Sequence, residues 1–274
     1  MHKMLSFGFS HKVDRYKHQA VGQYGNGFKS GSMRLGKDAI VFSFKNKTKT
    51  VGFLSQTFLE KVEATTVLVP IVSWTLDNQI IQSEEDADSL EAILQHSIFK
   101  TQAELFEQFE KIDIQKGTRI IIYNLKRDVS NRLEFDFMKE SQDIIIAEEY
   151  DLTHPEVIVV EPDNKNKSDI PEHTYSLRAF CSILYMKPKL RIYLRGKRVA
   201  LFEVEKKLRD TERYTYRPKN FKPAPEPANI LFGFNPKKNQ YGMMMYHKNR
   251  LIKPYVKVGY QLKVSEPIWH DDVP

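Results

Sequence analysis

The feature that most constrains this chain is a glycine-rich stretch, GQYGNGFKSGSMRLG, which runs from residue 22 to residue 36. A third of its residues are glycine, whereas the whole chain of 274 residues has only 12 glycines. Glycine at Gly22, Gly25, Gly27 and Gly31 permits a positive φ and lets main-chain N–H groups approach a ligand that a Cβ would keep away. The residues that follow, 28–35, are predicted to form a helix. A glycine loop that leads into a helix N-terminus is typical of an anion site, because unpaired N–H groups and the positive end of the helix dipole meet there.

The spacing of these glycines excludes two common phosphate-binding motifs. A Walker loop ends in Gly-Lys-Ser or Gly-Lys-Thr, but Gly27 is followed by Phe28. A dinucleotide-binding fingerprint has the spacing GxGxxG directly after a strand, whereas Gly22, Gly25 and Gly27 have the spacing GxxGxG. From spacing alone, a glycine-rich turn between two elements remains the alternative to an anion site.

The sequence around this loop resembles one family along most of the chain. Upstream lies LSFGFSHK, and downstream lie in order GFKSGSMRLGKDAIVF, VGFLSQTFLE, VLVPIV, KGTRIIIYNL, YSLRAFCSILYMKPKLRIYLRGK and YGMMMYHKNRLIKPYVKVG. These blocks cover roughly residues 1 to 263 and resemble the ATPase module of the microrchidia (MORC) family. That family belongs to the GHKL superfamily, together with type II topoisomerases and histidine kinases. Its glycine box closes the ATP lid with the spacing GxxGxG, which Gly22, Gly25 and Gly27 match.

The resemblance implies an α+β fold with two domains. Residues 1–170 would form a partial GHKL (Bergerat) α/β sandwich that binds ATP, and residues 171–274 would form a smaller transducer domain of the ribosomal-protein-S-five type. The boundary follows a change in composition, because residues 126–171 are rich in charged residues, Asn and Asp and are predicted to form exposed loops. With 41% hydrophobic residues, a chain of this length can bury two cores.

The resemblance also assigns contacts to the nucleotide. The implied phosphate-binding residues are Ser10, Lys12, Gly22, Gln23, Tyr24, Gly25, Asn26, Gly27 and Lys29. In GHKL proteins a Gly-Thr pair that opens the last strand of the nucleotide domain lies beside the adenine, and Gly117 and Thr118 match that pair. The structural alternatives are a charged loop around Lys12 and a plain turn before a β-forming threonine.

A lysine of the transducer domain is expected to sense the γ-phosphate. In GHKL ATPases with a transducer, one lysine of that domain reaches the γ-phosphate of ATP, and the segment HKNRLIKPYVKVG resembles the part that carries it. The lysine that follows NRLI is Lys253. An ammonium group suits this role, because it is a compact charge with rotatable donors. Lys248 and Lys257 are competing assignments, and a solvated basic turn is the structural alternative.

The implied ligand is ATP with magnesium, and the family reaction is attack of a water on the γ-phosphate. In the family, the glutamate that activates this water and the asparagine that holds magnesium lie on a helix before an acidic motif. Neither that helix nor the motif is found in these 274 residues, and no metal ligand is predicted. The chain therefore resembles a module that is shortened at both ends, for which we expect little or no ATP hydrolysis.

Charge and composition bear on the partners. The formal net charge is +7, which favours nucleic acid, although Lys and Arg spread along a chain are also typical of a solvated surface. The single cysteine, Cys181, excludes an internal disulfide. No apolar run approaches the roughly 18 residues that span a bilayer, so no membrane association is expected. The resemblance implies a nuclear homodimer that acts on DNA or chromatin in gene silencing. The alternative is a non-catalytic DNA- or chromatin-binding adaptor.

Hydrophobic patterning predicts the remaining elements. Strands are expected at 39–44, 51–59 and 66–72, and Pro70 places the last at an edge. Helices are expected at 87–96, at 175–185, and after a capping box at 101–104. Hairpins are expected around 195–198 and between 230–234 and 241–246, with a basic linker at 213–227.

Overall fold

The computed structural model describes residues 1–5, 25–81, 85–112, 116–153, 171–187, 190–219, 227–236 and 240–262. Its chain divides into two compact units, Met1–Glu134 and Phe135–Pro274. We refer to these as the first unit and the second unit. The sequence-based division into domains at residue 170 stays a prediction.

A four-stranded antiparallel sheet organises the first unit. Its strands are β1 (Gly36–Lys45), β2 (Thr48–Ser55), β3 (Ile71–Trp74) and β4 (Gly117–Leu125), in the order β3-β2-β1-β4. A two-residue turn, Asn46 and Lys47, joins β1 to β2, and both residues have a positive φ, as such hairpins require. The predicted edge position of β3 is confirmed, but this strand begins after Pro70 and not at Thr66, because proline cannot donate to the ladder.

The helices of the first unit are α1 (His2–Leu5), α2 (Gly27–Leu35), α3 (Gln56–Lys61), α4 (Glu85–His96) and α5 (Gln102–Glu110). The helices predicted at 28–35 and 87–96 are confirmed. The strand predicted at 51–59 is wrong in its second half, since residues 56–59 belong to α3. Ser55 causes this change, because its side chain accepts a hydrogen bond from the Phe58 N–H and so caps α3.

The predicted capping box of α5 is confirmed, except that the donor of its second hydrogen bond is the residue before the N-cap. The Thr101 hydroxyl accepts a hydrogen bond from the Glu104 N–H at 3.3 Å. The Glu104 carboxylate reaches back to the N–H of Lys100, at 2.6 Å, and not to that of Thr101 itself. Both hydrogen bonds thus stabilise the first turn of α5.

The sheet is covered on both faces. On one face α4 and α5 close the larger core, in which Phe42 is fully buried and packs edge-on against Phe99 and Phe109. The opposite face carries a smaller cluster beneath α1 and α2, formed by Leu5, Leu54 and Ile71 with their neighbours. A Cβ at Gly52 of β2 would lie 2.4 Å from Leu5 Cδ1. Glycine at this position therefore lets α1 lie directly on the sheet.

The second unit is built from short elements. Its helices are α6 (Ala147–Thr153), α7 (Glu172–Tyr175), α8 (Leu177–Ile183) and α9 (Val204–Lys207), followed by a 3-10 turn at Gly259–Leu262. Its strands pair in twos, namely β5 (Phe135–Asp136) with β6 (Ile145–Ile146), β7 (Tyr193–Leu194) with β8 (Lys197–Arg198), β9 (Arg209–Tyr216) with β10 (Ala228–Phe234), and β11 (Met243–His247) with β12 (Arg250–Val256). The predicted helix at 175–185 is confirmed in its interior as α8.

One predicted hairpin of the second unit is confirmed and the other is wrong. Arg195 and Gly196 both have a positive φ and join β7 to β8, as predicted. The second hairpin does not form between β10 and β11. Instead β10 pairs with β9, which occupies the start of the predicted linker, and β11 pairs with β12 through Lys248 and Asn249. A two-residue turn closes a hairpin at a lower entropic cost than the longer segment at 235–240.

Candidate functional site

The glycine turn, which we define as residues 25–27, leads directly into α2. Gly25 has a φ of 66°, in the left-handed region that favours glycine. Asn26 occupies the N-cap position, but its side chain does not cap the helix, and the first turn of α2 contains no acidic residue. Neither a cap nor a local carboxylate therefore neutralises the N-terminal end of this helix. Such an end is suited to bind an anion.

Gly27 contributes open space and not an unusual backbone conformation. It is the first residue of α2, and its φ is not positive, nor is that of Gly31. The freedom of glycine to adopt a positive φ is therefore not used at Gly27, where the backbone is helical, and it is used at Gly25. A Cβ built on Gly27 would have no heavy atom within 4 Å. The space beside the helix N-terminus is open to a ligand.

Lys29 lies in the first turn of α2, and its side chain is directed towards main-chain carbonyl groups. Only 2% of its surface is exposed. Its ammonium group donates to the carbonyl oxygen of Gly25 at 2.7 Å and to that of Met4 at 3.2 Å. The side chain thus connects the glycine turn to the end of α1.

The C-terminal end of α2 is fixed by an ion pair. The guanidinium group of Arg34 donates two hydrogen bonds to the carboxylate of Glu134, at 2.7 and 2.5 Å. These bonds lower the pKa of Glu134. A cation in the last turn also complements the helix dipole. Since α2 is held at both ends, the position of its N-terminus relative to the sheet is well defined.

Five of the predicted phosphate-binding residues lie outside the described residues, namely Ser10, Lys12, Gly22, Gln23 and Tyr24. The structure brings four others together in a single turn, namely Gly25, Asn26, Gly27 and Lys29. Their contacts with a nucleotide stay predictions.

The strand predicted after the Gly-Thr pair is confirmed as β4. Gly117 lies opposite Phe44 of β1, and the exposed Thr118 lies opposite Ser43. A Cβ at Gly117 would be 2.8 Å from Ile112 Cγ2, so packing alone requires glycine there. The contact of this pair with adenine stays a prediction.

Sequence reasoning missed a buried carboxylate, Asp38 of β1, which is 1% exposed. One of its oxygens accepts hydrogen bonds from the Ser55 hydroxyl at 2.5 Å and from the Thr57 N–H at 3.2 Å. The other accepts from the Thr57 hydroxyl at 2.8 Å and from the Asn124 amide. Four donors satisfy the charge and join β1, α3 and β4. An aspartate inside the apolar strand GKDAIVF was the available signal.

The neighbouring Tyr123 stays neutral. Burial, together with the nearby Asp38 carboxylate, raises the pKa of its phenol. Tyr123 packs against the larger core, together with Ile121 of the same strand. The side chain of Tyr123 therefore contributes to packing, and its phenol does not titrate at physiological pH.

Lys253 lies in β12, where it is paired with Met245 and exposed. Among the described residues, its ammonium group has no hydrogen bond or ion pair. The competing Lys257 lies over the ring of Tyr241, 5.0 Å from its centroid, in a cation–π contact. The assignment of the γ-phosphate lysine stays a prediction.

The part of the chain that the structure describes contains no cluster of three or more His, Cys, Asp or Glu side chains that could hold a metal ion. The donor set that magnesium needs is thus not found within these residues. None of the described helices is both long enough and apolar enough to cross a membrane.

Two family profiles match the chain. The profile described as "Histidine kinase-, DNA gyrase B-, and HSP90-like ATPase" matches residues 1–88, and the profile described as "Morc6 ribosomal protein S5 domain 2-like" matches residues 175–267. The mixture of helices and strands fits both. The predicted α+β fold, a GHKL ATPase domain followed by an S5-type domain, is confirmed.

Curated relatives are similar along nearly the whole chain. "MORC family CW-type zinc finger protein 3" of Mus musculus is 51% identical over 266 residues, which cover 97% of this chain and 28% of the relative. "Protein MICRORCHIDIA 3" of Arabidopsis thaliana is 39% identical over 274 residues, which cover 94% of this chain and 45% of the relative. "Protein MICRORCHIDIA 5" of the same plant is 36% identical, with coverage of 93% and 38%.

The chain therefore spans less than half the length of these relatives. The similarity extends through both the ATPase-like and the S5-like part of the chain. The family predicted from the sequence blocks is confirmed: the chain belongs to the microrchidia (MORC) family and corresponds to its ATPase module.

Proposed function

We propose that this chain binds ATP at the glycine turn, and that it does so as part of a MORC-type ATPase that dimerises and acts on DNA or chromatin in the nucleus. The observation that carries the proposal is the N-terminus of α2, which has no side-chain cap and no acidic residue in its first turn. Gly27 leaves this end open, because a Cβ there would meet no atom within 4 Å. A triphosphate supplies the negative charge that such an end lacks.

Main-chain N–H groups do the binding in this proposal. The N–H groups of the glycine turn and of the first helical turn donate to phosphate oxygens, and the positive φ of Gly25 sets their direction. Arg34 and Glu134 keep α2 in place while the ligand binds. Gly117 and Thr118 provide the surface for the base.

Nucleotide binding and hydrolysis are separate properties of this chain. Magnesium, when bound with ATP, would neutralise part of the phosphate charge. The described residues offer no cluster to hold it, so the proposal assigns it no protein ligand. Binding through N–H groups needs no general base, whereas hydrolysis does. We therefore expect this chain to bind ATP and to release phosphate slowly or not at all.

Two glycines of the same helix provide a matched test of the binding site. Gly27→Val fills the open space at the helix N-terminus and should weaken the binding of both ATP and ADP by at least about tenfold. Gly31→Val makes the same chemical change one turn later, where a Cβ also meets no atom within 4 Å, and should leave binding unchanged. Isothermal titration of both variants and the wild-type chain with each nucleotide measures the effect.

The outcome of that titration is decisive in both directions. If the wild-type chain binds neither nucleotide, the proposed function is wrong for this chain. If Gly27→Val and Gly31→Val weaken binding equally, the effect comes from the helix as a whole, and the glycine turn is not the site. Phosphate release by the same samples then separates binding from turnover.

A second candidate function is that of a DNA- or chromatin-binding adaptor without ATP hydrolysis. It is favoured by β9, a strand in which all eight residues are exposed and which includes Arg209 and Arg213. Arg217 and Lys219 follow it in an exposed position. Exposed cations suit the phosphates of a duplex, and the same strand also carries the acidic residues Asp210 and Glu212. An adaptor binds DNA with the same affinity whether or not ATP is present, and the measurement of DNA affinity with and without ATP distinguishes the two functions.

A further inference from the structure

Lys29 has an unusual combination of position and burial. It is the third residue of α2, near the end where the helix dipole opposes a positive charge, and only 2% of its surface is exposed. A buried ammonium group is costly unless its N–H groups are hydrogen-bonded. The two bonds to the carbonyl groups of Gly25 and Met4 offset this cost. The local helix does not favour a lysine here, so the reason for it lies in contacts outside the helix, which include these two.

The two carbonyl groups belong to segments that are far apart in sequence. Met4 lies in α1, whereas Gly25 lies immediately before α2. Twenty residues separate them, and a single ammonium group holds both. Its position ties the glycine turn to α1, which itself packs against Gly52 of β2. Lys29 and α1 therefore connect the glycine turn to the sheet.

The bond to Gly25 also fixes the direction of an N–H group. The peptide between Gly25 and Asn26 is planar, so its N–H group points to the side opposite its carbonyl oxygen. While the oxygen is held by Lys29 at 2.7 Å, the Asn26 N–H cannot turn towards the Lys29 side. Because Gly25 has no Cβ, the backbone would resist rotation of this peptide only weakly without that bond.

We propose that Lys29 is a positioning residue of the nucleotide site, which holds the Gly25–Asn26 peptide in the orientation that receives phosphate and does not itself contact the phosphates. This inference rests on the proposed function. It gives Lys29 a different role from the direct phosphate contact that the family resemblance implies.

The two roles predict opposite results for a conservative change. Lys29→Met removes the charge and keeps the length of the side chain, and both roles predict weaker binding. Lys29→Arg keeps the charge, and a guanidinium group binds phosphate well, so a phosphate ligand would be rescued by it. A positioning lysine that is 2% exposed would not be rescued, because a larger planar group cannot occupy its site.

The experiment measures the dissociation constants of ATP and ADP by calorimetry for the whole chain. We expect Lys29→Met and Lys29→Arg each to weaken both nucleotides by at least about tenfold, and by the same factor for ATP and ADP. The matched control is Lys37→Met, which removes the same charge from a side chain that is 56% exposed and lies 3.6 Å from Glu60. Its affinities should equal those of the wild type. Wild-type binding by Lys29→Arg, or a greater loss for ATP than for ADP, would overturn the inference.

Amide hydrogen exchange tests the inference without any ligand. Lys29→Met should exchange faster than wild type in peptides that cover residues 1–5 and 25–30, while β1 keeps its protection. Lys37→Met should change neither region. If the wild-type chain binds no nucleotide, the proposed function fails, yet this measurement still decides the role of Lys29. Unchanged exchange around Gly25 and Met4 in Lys29→Met would show that the ammonium group does not hold the turn.

Discussion

The strands β1 and β9 have similar lengths but opposite environments. Seven of the ten residues of β1 are buried, and the strand pairs on both sides, with β2 and with β4. All eight residues of β9 are exposed, and the strand pairs only with β10. A two-stranded ribbon gains little stability by itself, whereas a strand within a covered sheet is held by its core. The difference indicates that β1 holds the core of the first unit and supports the candidate site, while β9 leaves its side chains exposed.

The largest expected effect concerns two phenylalanines on these two sheets. Phe42 of β1 is fully buried, whereas Phe234 of β10 is 73% exposed. Phe42→Ala should lower the free energy of unfolding by about 3–5 kcal/mol, because it leaves a cavity among aromatic rings. Phe234→Ala should lower it by less than about 1 kcal/mol. Urea denaturation measures both. Equal losses would mean that the hairpin of β9 and β10 is packed in solution.

The second prediction concerns two acidic residues in the same strands. Asp38→Ala removes the acceptor of four hydrogen bonds and leaves buried donors without a partner, so the free energy of unfolding should fall by about 2–4 kcal/mol. Glu212→Ala, in the exposed β9, should change it by no more than about 0.5 kcal/mol. A small effect of Asp38→Ala in urea denaturation would contradict the stabilising role of this network.

The third prediction tests β9 as a surface for DNA. If its cations meet phosphates, the affinity for duplex DNA falls steeply with salt, because counterions are released on binding. Arg213→Glu should weaken binding by about tenfold at low salt and reduce the salt dependence. The matched control is Lys45→Glu at the exposed end of β1, which should have a smaller effect. Fluorescence anisotropy with a labelled duplex measures both. Equal losses would place the contact elsewhere or spread it over the whole chain.

The smallest effect is expected from pH, through one histidine in each unit. Burial, with Lys61 and Lys100 nearby, lowers the pKa of His96, and burial lowers that of His173. The unfolded chain therefore binds more protons than the folded chain just below the ordinary histidine pKa. Stability should be complete above about pH 6.5 and fall as the pH decreases through the folded pKa values.

Replacement of each histidine shows which unit responds. His96→Gln should reduce the loss of stability in the first unit between about pH 7.5 and about pH 5.5, and His173→Gln should do so in the second. Urea midpoints at the two pH values, with amide exchange to assign the unit, provide the measurement. A stability that rises on acidification would show that the sign is wrong.

The sequence predicted the features that depend on near neighbours. The helix at α2, the turn at Arg195 and Gly196, and the cap at Thr101 each follow from residues within a few positions of one another. The family blocks predicted the fold class for the same reason, since each block is a short local segment. Local signals therefore gave the elements and the location of the candidate site.

The sequence did not predict features that depend on distant partners. Asp38 could not be assigned, because its donors include Asn124, which is 86 positions away. The contact of Lys29 with Met4 is equally non-local. The pairing of β10 was predicted wrongly, since its apolar pattern fits either neighbouring strand and the turn at Lys248 decides the choice. These features depend on which residues lie close together in three dimensions. The pattern of a single sequence does not show which distant residues do so.

The close approach of α1 to Gly52 links a position on β2 to the glycine turn. A methyl group at residue 52 would overlap with the side chains of Leu5 and Met1, which would have to shift and so disturb the packing of α1 on the sheet. The Met4 carbonyl belongs to the same helix and accepts one of the hydrogen bonds that the Lys29 ammonium group donates. A single added carbon on β2 would thus weaken the support that the Gly25–Asn26 peptide receives through α1 and Lys29.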